Sequence, residues 1–195
     1  MTPTKYLMFL IVGLIFPSTT PEILIIQGDS LLNADKYLQA IRIYQSAADL
    51  FEQGNNINDA ADIYYDKIGL KQYYRGKYQN ALNSWETALK LYRNDNDPYG
   101  ESDALNRIGI IYKKLGMYTN AQENYLKSLS LAEKLDYQKR IGACLNNLGN
   151  VYRQLGDFYK SIEYYNKSLL AIQKKEDTES WSKEIAEAET WLMMA

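Results

Sequence analysis

Two pairs of neighbouring carboxylates, Asp95 with Asp97 and Glu176 with Asp177, are spaced for acid–base work, one group donating a proton while the other withdraws one. Both pairs fall in short polar stretches between apolar segments, where carboxylates are ordinarily held by water, and neither is read as catalytic. Asn94-Asp95-Asn96-Asp97 offers oxygen ligands to calcium. It lacks the alternating ligand spacing, the central glycine and the closing bidentate glutamate that such a loop needs, so no metal site is expected. The chain contains no histidine, which removes the commonest general base and metal ligand together. Its one cysteine, Cys144, cannot form a disulfide within the chain or a thiolate cluster. It reads as a small buried residue, a reactive thiol being the other reading. No phosphate loop, nucleophile elbow or zinc spacing occurs. The chain is therefore read as a non-enzyme that needs no cofactor.

Eighteen tyrosines could stack on nucleic-acid bases or fill a core. A net charge of −2 gives little electrostatic drive toward nucleic acid or an anionic membrane surface. The 195 residues, 46% hydrophobic and 24% charged, have the composition of an ordinary globular domain.

The tyrosines belong to a longer pattern. Glycines at 28, 69, 109 and 149 are separated by 41, 40 and 40 residues. Nine positions after each comes an aromatic residue: Tyr37, Tyr78, Tyr118 and Phe158. Twelve after comes a small one, Ala40, Ala81, Ala121 or Ser161, and sixteen after another aromatic, Tyr44, Trp85, Tyr125 or Tyr165. Nineteen after is again small, at Ala47, Ala88, Ser128 and Ser168, and seven after is a turn residue, Asp35, Gly76, Gly116 or Gly156. Tyr37, Tyr44, Tyr78, Tyr118, Tyr125 and Tyr165 sit in these columns, which favours packing over base stacking.

The columns predict two helices per unit. Leu145, Leu148, Gly149 and Tyr152 recur at helical spacing before the turn, and Phe158, Ser161, Ile162, Tyr165 and Leu169 after it. Gly156 suits the left-handed residue that closes a first helix. Gly149 and the small residues allow close helix crossing while the aromatics fill the space beside them. One such pair cannot cover its own apolar face, so successive units must stack.

The segment from Leu145 to Ile172 resembles a tetratricopeptide repeat almost position for position, through Leu148, Gly149, Tyr152, Gly156, Phe158, Tyr165 and Ser168. The resemblance covers about residues 21–175 and is weakest early, where Gln27 and Leu31 replace a Leu and a Tyr and Gln72 takes the Tyr column. It implies an all-α, right-handed solenoid of four helix-turn-helix repeats, over about 21–61, 62–101, 102–141 and 142–181. A capping helix over 182–195 follows, its stripe formed by Ile185, Ala188, Leu192 and Ala195. Either Trp191–Ala195 packs back on the solenoid or the chain is a piece of a longer array. The period near 40 adds residues between units, at Arg93–Gly100, Leu135–Arg140 and Gln173–Ser180, and is similar to a longer-repeat subgroup seen in bacterial, including cyanobacterial, arrays.

The resemblance also implies a concave groove lined by the first helix of each pair. Its residues are Ile25, Asp29 and Asn33, then Asp66, Leu70, Tyr73 and Tyr74. Asn106, Ile110, Lys113 and Lys114 follow in the third unit, and Asn146, Asn150, Arg153 and Gln154 in the fourth. Tyr73 and Tyr74 would meet an apolar or aromatic side chain of an extended peptide. Asn106, Asn146 and Asn150 would hold its backbone, and Lys113, Lys114 and Arg153 an acidic group or carboxyl terminus. The alternative is that these are ordinary solvated helix positions. The expected function is a monomeric protein-interaction scaffold, without nucleic-acid or small-molecule substrate. The other reading is an accessory region, sensor or spacer, of a longer signalling or protease-like protein.

Residues 1–20 are set apart. Lys5 precedes the apolar run Tyr6–Phe16, too short for a comfortable membrane span and of the length of a secretory signal, followed by Pro17-Ser18-Thr19-Thr20-Pro21. Export is expected, with a short uncleaved anchor or a cytosolic helix packed on the solenoid as alternatives.

Overall fold

The computed structural model describes residues 19–173. The apolar run Tyr6–Phe16, the Glu176/Asp177 pair and the capping helix expected over 182–195 lie outside these residues. Among the described residues all regular structure is helical, and no helix is long and apolar enough to cross a membrane.

The helices form four pairs. The first is α1 (Pro21–Asn33) with α2 (Tyr37–Gln53). In the second, α3 (Ile57–Asp62), a π-helical segment (Ile63–Gly69) and α4 (Leu70–Tyr74) run on as one helix, packed against α5 (Tyr78–Asn94). The third is α6 (Pro98–Lys114) with α7 (Tyr118–Lys134), and the fourth α8 (Gln138–Gln154) with α9 (Phe158–Gln173). Each unit is thus a helix, a tight turn and a returning helix, stacked on the next into an α-solenoid.

The turns explain themselves chemically. Asp35, Gly76, Gly116 and Gly156 all take left-handed backbone conformations, with φ from 56° to 79°. After α8 the Asp157 N–H returns to the Tyr152 carbonyl and the Gly156 N–H to Arg153, consuming carbonyls that a helix end leaves without partners. Between units, Asn55, Asn96 and Asp136 supply the same left-handed residue, side chains that tolerate it better than most.

The core follows the columns. Trp85, Tyr44 and Tyr125 are fully buried beside Ala40, Ala81, Ala88 and Ala121. Small residues at the crossings also bond: Ser128 donates to the Ser102 carbonyl at 2.7 Å, and Ser168 to the Gly142 carbonyl at 2.7 Å. Cys144 is fully buried, its thiol donating to the Ser128 hydroxyl with sulfur and oxygen 3.0 Å apart. Burial pushes that thiol up to about 11.

Two expectations change. The residues over Arg93–Gly100 and Leu135–Arg140 do not extend loops; they lengthen the helices on both sides, leaving turns of three residues such as 95–97. The helix pairs accordingly begin at Ile57, Pro98 and Gln138, about a turn ahead of the divisions at 62, 102 and 142. The first turn of each leading helix carries no column residue, so the columns alone set those divisions late. Asp97 is also more than solvated: it caps α6, accepting from the N–H groups of Tyr99 (2.9 Å) and Gly100 (3.0 Å), with Pro98 in the first turn.

Candidate functional site

The leading helices α1, α3–α4, α6 and α8 are joined by polar contacts spaced by one repeat. Lys67 bridges both carboxylate oxygens of Asp29 at 3.0 Å, and the Tyr44 hydroxyl donates to the same carboxylate at 2.5 Å. These bonds outweigh the burial that would otherwise raise Asp29, leaving its carboxyl below the ordinary range. The Arg107 Nε donates to the Tyr65 hydroxyl at 3.1 Å, its guanidinium lying over the rings of Tyr65 and Trp85. Arg140 pairs with Asp103 at 2.5 Å, and Asn147 donates to the Asn106 side chain at 3.0 Å. Lys67, Arg107 and Asn147 all lie two positions before a signature glycine. The sequence reading missed this polar column, which its register made visible.

The eight residues expected to meet a peptide fare differently. Tyr73 is half-buried in an aromatic group, 5.5 Å from Tyr74 and 5.8 Å from both Tyr78 and Trp85 between ring centroids. Tyr74 stands 74% exposed at its edge, an aromatic surface open to a partner. Lys113, half-buried on α6, lies within electrostatic reach of Lys114 and of Arg153 on α8. Burial first, then those two cations, hold its amine below the usual lysine range. Among the described residues no carboxylate pairs with Lys113, Lys114 or Arg153.

The asparagines need correction. Asn106 is buried, 3% exposed, and its side-chain oxygen is used between repeats, so it is withdrawn from the surface where it was expected to hold a backbone. Asn150 is half-buried and bonded on both sides of its amide: it accepts from Tyr165 at 3.1 Å and donates to Asn146 at 3.0 Å. Asn146 alone of the three is exposed. An asparagine can serve the fold or a ligand, and spacing does not distinguish the two uses. Of the other lining residues, Asn33, Asp66 and Gln154 are exposed, and Ile25, Leu70 and Ile110 half-buried.

Among the described residues no three acidic, cysteine or histidine side chains gather as a metal site needs. The face combines an aromatic patch, a three-cation cluster and a ladder of satisfied polar contacts. Such a surface can hold a chain through side-chain contact and charge.

Residues 100–175 match the sequence model of the tetratricopeptide repeat family. Among solved structures the chain is similar to the apo form of RapI, with TM-score 0.70 and 19% identity over 80% of this chain and 44% of that one. It is also similar to the Rap conjugation gene regulator of the plasmid pLS20 in complex with the Phr* peptide, with TM-score 0.60 and 23% identity over 76% of this chain and 41% of that one. The TPR domain of Arabidopsis FLU aligns with TM-score 0.51 and 20% identity, over 54% of this chain and 89% of that domain. A search of curated proteins finds no match. The chain spans less than half of either Rap chain, and at these identities the likeness concerns the fold.

Proposed function

We propose that this chain, whose residues 100–175 match the tetratricopeptide repeat family, is a protein-interaction scaffold docking an extended peptide segment along the shared face of its leading helices. The segment lays an anionic group, a carboxyl terminus or acidic side chain, against Lys113, Lys114 and Arg153. An apolar or aromatic side chain meets Tyr73 and Tyr74. One contrast carries this reading. Lys67, Arg75, Arg93 and Arg140 each pair with a carboxylate from another turn or helix, whereas the three cations of α6 and α8 meet no carboxylate among the described residues, and burial together with Lys114 and Arg153 lowers Lys113. Like charges gathered without counter-charge favour an incoming anion. The peptide in the pLS20 Rap complex supports peptide docking on this fold, though that chain extends well beyond the aligned region.

The asparagine role narrows to Asn146, the exposed member of its column. Hydrogen bonds to a charged partner contribute roughly 1.5–3 kcal/mol each, so Lys114→Ala with Arg153→Ala should weaken peptide binding at least about tenfold. Circular dichroism of the double variant should be unchanged. Undiminished binding by that variant would move the docking face elsewhere on the solenoid.

A further inference from the structure

Where the aromatic sixteen places after a signature glycine is a paired tyrosine, its hydroxyl donates to the residue that follows that glycine. In the first unit Asp29 accepts the Tyr44 hydroxyl at 2.5 Å, and in the fourth Asn150 accepts the Tyr165 hydroxyl at 3.1 Å. In the second the aromatic is Trp85, whose indole N–H reaches the Tyr65 carbonyl at 2.9 Å. The third unit breaks the rule. Its residue is Ile110, which cannot accept, and the fully buried Tyr125 hydroxyl has no hydrogen-bond partner among the described residues.

An unpartnered buried hydroxyl is costly and rare in a folded chain. The ring position is fixed by packing: Gly109 lies against the Tyr125 ring just as Gly28 and Gly149 lie against Tyr44 and Tyr165. The same reach therefore brings the Tyr125 hydroxyl beside Ile110, on the face assigned to the peptide. Cys144 in the core and Tyr73 lie within electrostatic reach of it. Tyr73 is in the aromatic patch, and Lys113 and Lys114 follow Ile110 by three and four places, one helical turn along the same side of α6. Ile110 and Tyr73 are half-buried where they pack against the core, so a ligand reaches the hydroxyl from the groove only if Ile110 turns aside.

We infer that Tyr125 is a specificity-determining donor, its hydroxyl taking a backbone carbonyl oxygen of the bound peptide between the aromatic patch and the cation cluster. The ligand thereby supplies the acceptor that Asp29 and Asn150 supply in the outer units. A carbonyl fits better than an amide N–H, since both paired tyrosines of this column act as donors. This inference rests on the groove reading above and adds a register to it: one peptide carbonyl is fixed about a turn away from the anion.

The test uses the full chain and a library of random nonapeptides tethered by their amino ends, with free carboxyl termini. The tightest wild-type binder is resynthesised with each backbone amide replaced in turn by an ester, whose carbonyl is a weaker acceptor. Tyr125→Phe should weaken that peptide about tenfold, a loss of the order of one hydrogen bond. Its thermal midpoint should be unchanged or raised, whereas Tyr44→Phe and Tyr165→Phe should lower theirs. Ile110→Asn, which gives Tyr125 an internal acceptor, should weaken binding similarly. One ester position should harm wild-type binding and be silent in Tyr125→Phe. Full affinity in Tyr125→Phe, with binding still lost in the Lys114/Arg153 double variant, overturns this inference and leaves the groove reading standing. A library without binders, or binding indifferent to the double variant, overturns both.

Discussion

Gly109 lies against the ring of Tyr125 so closely that a β-carbon at the glycine would stand 2.6 Å from the ring's Cε1. Gly149 and Tyr165 repeat the relationship at 2.7 Å, yet the two sites differ in freedom: Tyr125 is fully buried and Tyr165 only half so. Gly109→Ala should cost about 1–3 kcal/mol because the ring has nowhere to move, and Gly149→Ala less. Gly116 offers the opposite case. A β-carbon there meets nothing within 4 Å, but its φ of 74° costs an alanine about 1–2 kcal/mol. Gly116→Asn should be milder, since Asp35 holds the equivalent turn at φ 56°. Urea unfolding of the four variants checks this order, and equal losses at Gly109 and Gly149 would defeat the packing account.

These glycines show why the fold was legible. A helix crossing and its filling aromatic are fixed residue types at a fixed offset, so the sixteen-place column specified a contact before any coordinates. The docking face was less legible, because a column says where a side chain points and not whether a neighbour has already engaged it. Asn106 and Asn146 occupy the same column, yet one is buried against Asn147 and the other is exposed. The 41-residue first spacing was also in plain view, but a count of residues does not say whether the extra one enters a loop or a helix.

Lys113 gives the cation cluster a pH signature. Burial, Lys114 and Arg153 depress its folded-state value, so between that value and the ordinary 10.5 the unfolded chain binds more protons than the folded one. Stability should therefore rise slightly with pH across that window. Peptide binding should do the reverse. A carboxylate favours the charged amine, so binding takes up protons and affinity falls as pH climbs through the same window. Lys113→Gln should lower the affinity and flatten this alkaline arm. An unaltered arm in the variant would show that Lys113 does not face the bound anion.

Cys144 should be inert in the folded chain. Its thiol is fully buried and pushed up to about 11, against an ordinary 9.0, so little thiolate exists near neutrality. A disulfide reagent at about pH 8 should label it only as fast as the solenoid opens, and quickly in denaturant. Because the folded value is raised, this group's contribution is complete below 9.0 and is lost as pH rises through about 11. Rapid labelling under native conditions would mean that the third and fourth units part readily.

The π-helical segment Ile63–Gly69 and Trp85 form one device. The residues from Ile57 to Gly69 outnumber those from Pro98 to Gly109 by one, and the wide turn absorbs the surplus so that Gly69 still meets its aromatic. That aromatic is the tryptophan of the column, whose N–H lies too near its own backbone to reach the residue after the glycine as a tyrosine hydroxyl does. The π turn presents the Tyr65 carbonyl, which accepts from both the Leu70 N–H and the Trp85 indole. Deleting the exposed Asp66 should restore a regular helix and a 40-residue spacing while removing that acceptor from Trp85. A buried donor left unpaired costs about 1–3 kcal/mol, so the deletion should be markedly destabilising in the native background. In a Trp85→Phe background there is no donor to strand, and the deletion should cost measurably less, with a coupling of roughly 0.5–3 kcal/mol between the two changes. Additive losses in the double-mutant cycle would separate the π turn from the tryptophan and leave the extra residue without this role.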